Sequence, residues 1–71
     1  MTNQQLQQIE EFLDSRWQIA LRTDERMGNQ DGEELLPNNP DAIYYRGAIK
    51  LVEVAGLTWT RDSQGSHILY R

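Results

Sequence analysis

The chain of 71 residues holds one histidine, His67, and no cysteine. A tetrahedral zinc site needs several imidazole or thiolate ligands, so that chemistry lacks its donors. Disulfides are excluded by the same count. Nucleophilic catalysis needs a hydroxyl, a base and a group that orients the base. Ser66 precedes His67 in a stretch that alternates like a strand. Neighbouring strand residues point to opposite faces, so the two cannot act as a pair. Ser15 falls in a helical stretch and Ser63 at a turn, neither with a base near it in sequence. His67 is therefore expected to be a surface or packing residue. No catalytic, cofactor-binding or metal-ligating residue is predicted, and the chain is read as non-enzymatic.

Calcium and nucleic acid are the other ligands to which these residue types could respond. Asn29, Asp31 and Gly32 fall like positions three, five and six of an EF-hand loop, but positions one and twelve would be Met27 and Asn38. Neither supplies the carboxylate that calcium requires there. Nucleic-acid binding draws most of its affinity from neutralised phosphates. The chain carries a net charge of −4, unevenly placed. Residues 1–40 hold eight acids against three arginines, and residues 41–71 three acids against four bases. The alternative of a small nucleic-acid-binding or regulatory protein is thus confined to the C-terminal half, where Arg46, Lys50 and Arg61 accompany Trp59.

The elements that position these residues are marked by their ends. Thr2 followed by Gln5 matches a capping box. From there Leu6, Ile9, Leu13, Trp17, Ala20 and Leu21 recur at helical steps, predicting a helix over about 2–26. Glu11, Asp14, Gln18, Arg22 and Glu25 lie opposite that stripe. Phe12 and Ile19 form a separate line about 100° from the centre of the stripe, either a widening of the core face or a second contact surface. Residues 28–39 read as a long loop punctuated by glycine, proline and asparagine, with Leu35 and Leu36 tacking it to the core. Asn39 and Pro40 open a second helix over about 40–55, and Gly56 closes it. Residues 57–71 read as a β-hairpin about an Asp62-Ser63-Gln64-Gly65 turn, with Leu57, Trp59, Ile68 and Tyr70 expected to face the helices. Both hairpin edges are expected to be unpaired and open to strand addition. The fold class is α+β, two helices and a hairpin (ααββ) in one small domain.

The second helix is apolar over more than half of its circumference, with only Arg46, Lys50 and Glu53 in a continuous polar strip. One helix and one hairpin cannot cover so much apolar surface. A chain of this size buries only about 60% of its unfolded surface, which makes association a natural source of further stability. The expected function is a protein-interaction module that binds itself, as a dimer, or binds another protein. Its candidate contacts are Phe12, Ile19, Tyr45, Ile49, Arg46, Lys50 and Arg61. The opening residues lack the basic and apolar stretches of a secretion signal, and no apolar run approaches the roughly 20 residues of a membrane span. A cytoplasmic setting without membrane partners is the expectation.

At Tyr45-Arg46-Gly47-Ala48-Ile49, Gly56, Trp59, Arg61-Asp62, Gly65 and His67 the chain resembles small phage- and prophage-encoded proteins of unknown function. The likeness covers the C-terminal third. It implies a mobile-element accessory protein acting by binding a host protein, and it carries over no functional residue.

Overall fold

A computed structural model describes residues 1–30 and 34–70 of the chain. Two helices precede a C-terminal antiparallel hairpin, an α+β arrangement. Asp31, Gly32 and Glu33, including the acid considered for calcium, lie outside the described residues, as does Arg71.

Helix α1 spans Asn3–Arg26. Its first turn is closed by the capping box: the Thr2 hydroxyl accepts from the Gln5 amide at 3.1 Å, and Gln5 Oε1 accepts from the Thr2 amide at 2.8 Å. Helix α2 spans Pro40–Val54 and starts on Asn39, whose Oδ1 accepts from the amides of Asp41 and Ala42. Both helices end in the same pair of bonds. Gly28 and Asn29 donate to Glu25 and Asp24 at the end of α1, and Gly56 and Leu57 donate to Glu53 and Val52 at the end of α2. This six-to-one, five-to-two pattern occupies carbonyls that a helix end otherwise leaves bare.

Leu13, Trp17 and Ala20 of α1 meet Ala42, Tyr45, Ile49 and Val52 of α2, with Leu35 from the loop and Leu57 and Leu69 from the hairpin region closing the core. Leu6, Ile9 and Leu21 pack at its margin, so the whole apolar stripe read from the sequence faces inward. Among the described residues no helix is long and apolar enough to cross a membrane.

The junction of the helices is a buried polar hub. Asn39 Nδ2 donates to the Ala20 carbonyl at 3.0 Å and to Asp24 Oδ1 at 2.6 Å. Asp24 also accepts from Asn29 Nδ2 at 2.6 Å and from the Leu36 amide at 3.1 Å. Asp24 and Asn39 are both fully enclosed. Burial alone raises a carboxyl pKa, but here the bonds from Asn39, Asn29 and Leu36, with the charge of Arg46, outweigh it and hold Asp24 below its ordinary value of 3.8. A depressed pKa means that the folded state favours the charged form. Asp24 therefore adds stability above the ordinary carboxylate range, and that contribution is lost as pH falls through its folded value. The urea midpoint of the native chain is expected to drop between pH 6 and pH 3 by more than that of Asp24→Asn, which keeps the shape but has no charge to lose.

The hairpin pairs β1 (Thr58–Arg61) with β2 (His67–Tyr70) in the register Trp59↔Leu69 and Arg61↔His67. Residues directly opposite share a face, so His67 and Leu69 point inward with Trp59 and Arg61. Ile68 and Tyr70, expected inside, are exposed. The turn explains the difference. Gly65 donates to the Asp62 carbonyl at 3.1 Å, closing the turn, and Asp62 then pairs with Ser66 rather than with Gly65. Gly65 is an extra residue at φ +85°, a glycine bulge after a type I turn. One added residue moves every side chain of the returning strand to the other face.

Candidate functional site

Because β2 is turned this way, His67 is only 3% exposed and sits between all three layers of the chain. Its Nδ1 lies 2.8 Å from Asp14 Oδ1 of α1, and its Nε2 lies 2.7 Å from the Tyr45 hydroxyl of α2. In the neutral ring, a proton on Nδ1 facing the carboxylate leaves Nε2 to accept from the Tyr45 hydroxyl. Tyr45 in turn accepts from Arg61 Nη1 at 2.9 Å. Burial pushes the Tyr45 hydroxyl above its ordinary pKa, with the Arg61 bond working against it, which keeps the phenol protonated as the donor to His67. Trp59 stacks on the imidazole at 6.0 Å, and the Tyr45 ring meets its edge at 5.6 Å.

A carboxylate, an imidazole and a hydroxyl in line have the connectivity of an orienting acid, a base and a nucleophile. In this chain the hydroxyl has both of its hydrogen-bonding positions used, by His67 and Arg61, and Tyr45 is only 4% exposed. What the arrangement does is tie α1, α2 and β2 at one point. Of the two settings expected for His67, surface or packing, the structure shows the second; that its partners are Asp14 and Tyr45 was not legible. Asp14 looked solvated on the helical wheel, and its contact with His67 spans 53 positions.

Asp14 has a second task. Residues of β2 alternate between amides that pair with β1 and amides that point away. Those of His67 and Leu69 point away, and they donate to Asp14 Oδ1 at 2.6 Å and Glu10 Oε2 at 2.8 Å. The two acids are one turn apart on α1, a rise of about 6 Å, close to the two-residue step of a strand. The outer edge of β2 is thus covered by a pair of carboxylates, which corrects the expectation of two open edges and blocks strand addition there.

The residues named as partner contacts separate into three settings. Tyr45 and Ile49 belong to the core and correct the expectation that they form an outer surface. The physical reason is that α2 is apolar over more than half of its circumference, so its sequence does not fix which part of that arc lies inside. Arg46 and Arg61 are tied down, Arg46 Nη2 to the Leu35 carbonyl at 2.9 Å and Arg61 to Tyr45 and the Trp17 ring, while Lys50 is exposed. No contact joins these three into one basic patch among the described residues. Phe12 is 44% exposed, whereas Ile19 is half-buried.

The exposed apolar side chains of α2 are instead Ile43, Tyr44 at 53%, Leu51 at 71% and Val54 at 74%. Phe12 of α1 joins them, its ring centroid 6.3 Å from that of Tyr44. Arg16 lies over the other ring with its Cζ 4.0 Å from the Tyr44 centroid, and Asp41 is 3.6 Å from Arg16 Nη2. Phe12, Tyr44, Gly47, Ala48 and Leu51 line a shallow apolar groove between the helices. Met1 and Ile9 extend it toward Ala55. Comparison with known protein families, curated proteins and solved structures finds no match to this chain.

Proposed function

We propose that this chain is a non-enzymatic protein-interaction module that pairs with a second copy of itself across the groove between α1 and α2. The observation that carries the reading is the exposed apolar line Phe12, Tyr44 and Leu51 in a domain this small. Contiguous apolar surface on a soluble domain marks a contact site more often than chance exposure does.

The spacing supports a second copy as the occupant. Tyr44 and Leu51 are two turns apart on α2, and Gly47 and Ala48 lie midway between them. A twofold axis through that midpoint sets Tyr44 of each copy against Leu51 of the other, so one patch serves both sides. An added Cβ at Gly47 would meet nothing within 4 Å, so the chain's own packing does not require glycine there. A glycine in a helix interior costs about 1 kcal/mol against alanine, and close approach of a partner helix offsets that cost. The resemblance to phage and prophage proteins adds an origin to this reading, a mobile-element accessory protein that acts by contact.

Sedimentation equilibrium tests it. The native chain is expected to reach twice its mass of 8.3 kDa as concentration rises. Leu51→Glu, which buries a charge against Tyr44 of the other copy, is expected to weaken the dimer by at least about thirtyfold with unchanged helical circular dichroism. A native chain that stays at 8.3 kDa at every concentration contradicts the reading.

A further inference from the structure

On the side of the hairpin turn, Trp17 and Leu21 of α1 and residues Arg61 to Gly65 enclose an open cleft of about 480 Å³. That volume falls in the range of about 300–1,000 Å³ typical of small-ligand sites. Its most defined wall is Arg61. The guanidinium lies over Trp17, with Cζ 3.7 Å from the ring centroid, and Nη1 is anchored on the Tyr45 hydroxyl at 2.9 Å. The anchor uses one of five donor hydrogens. Among the described residues Nε and Nη2 have no protein acceptor, neither is sealed from solvent, and no carboxylate stands within ion-pair distance of them. Asp62, the next residue, is turned onto its own loop, where Oδ1 accepts from the amides of Gln64 and Ser66, each at 2.9 Å.

Such a cation differs from an ordinary surface arginine. Its rotamer is already fixed by a ring and a hydroxyl, so the ordering cost of binding is met in folding. The free edge of its planar fork matches the two oxygens of a carboxylate or phosphate. The surroundings add to it. Gln18 stands against Gly65, its Nε2 3.0 Å from where a Cβ would be. Ser63 and Gln64 supply polar groups at the rim. Asp62 also lines the cleft, so the site is neutral in sum and its cation is the guanidinium edge of Arg61.

We propose that the cleft is an oxyanion site, in which Arg61 takes a carboxylate or phosphate group on the edge of its guanidinium left free by Tyr45. The proposal goes beyond pairing through the α1/α2 groove and involves different residues.

The test is an NMR titration of the isotope-labelled chain with sodium phosphate and with sodium acetate, each against sodium chloride at matched ionic strength. Saturable shifts at the Arg61 Nε–H and at the Ser63 and Gln64 amides, absent with chloride, are expected for at least one of the two anions. The anion that saturates at lower concentration identifies the preferred oxyanion, tetrahedral or planar. Arg61→Lys, which keeps the charge but loses the fork, is expected to weaken binding about tenfold. Should that variant fail to fold, the shift map of the native chain decides alone. Shifts that rise linearly and equally with all three salts overturn the proposal. So do saturable shifts that leave Arg61 unmoved, or unchanged affinity in a folded Arg61→Lys.

Discussion

Asn39→Ala is expected to remove about 3–5 kcal/mol of stability, most of what a domain of this length possesses. The side chain does three things at once. Its Oδ1 caps α2, accepting from Asp41 and Ala42. Its Nδ2 satisfies the Ala20 carbonyl at 3.0 Å and Asp24 Oδ1 at 2.6 Å. Loss of the cap alone costs about 1 kcal/mol. The larger part comes from leaving Asp24, an enclosed carboxylate, short of one of its two closest donors. Asn39→Ser separates the two parts, because serine can cap but cannot donate to both acceptors in the same geometry. Urea denaturation is expected to rank native above Asn39→Ser above Asn39→Ala. A loss near 1 kcal/mol for Asn39→Ala would mean that the hub contributes only its cap.

Gly65→Ala is expected to cost about 2–4 kcal/mol. The residue sits at φ +85°, where a side chain is strained, and a Cβ there would lie 2.7 Å from Trp17 Cδ1 in the core. Turn and core would have to yield together. Gly47→Ala is the counterpart. Nothing lies within 4 Å of its added Cβ, and the site is in the middle of α2. The isolated domain is expected to gain up to about 1 kcal/mol from it. The same methyl holds two copies apart in the proposed pairing, so the dimer is expected to weaken while the monomer becomes more stable. Thermal unfolding at low concentration and sedimentation at high concentration read the two effects separately.

What the sequence disclosed was local. Thr2 with Gln5, Asn39 with Pro40, and Gly56 are signals carried within a few residues, and the helix ends lie beside them. The stripe of α1 was legible because its opposite face is polar. On α2 the pattern lacks that contrast, so Tyr45 and Ile49 could not be told from Tyr44 and Leu51 by periodicity. Only packing against Trp17 and Leu13 decides which pair goes inside. The hairpin turn was legible as a turn, but not the one residue by which Gly65 shifts the return strand. That residue exchanged Ile68 and Tyr70 for His67 and Leu69. With the wrong phase His67 had no partners in reach. The contacts that give it meaning, Asp14 and Tyr45, arrive from 53 and 22 positions away, where no spacing rule operates.

The two edges of the sheet show how this reshapes the functional reading. Glu10 and Asp14 cover the outer edge of β2, and the core takes Tyr45 and Ile49, so the proposed pairing rests on the Phe12, Tyr44 and Leu51 side and not on Tyr45, Ile49 or that edge. The measurement that bears on this most directly is an isotope-filtered nuclear Overhauser experiment on a mixture of labelled and unlabelled chains. Cross-peaks between the Tyr44 ring of one copy and the Leu51 methyls of the other are expected, with weaker ones from Phe12. A concentrated sample with no intermolecular cross-peaks, or with cross-peaks arising from Ile68 and Tyr70 instead, would contradict the account.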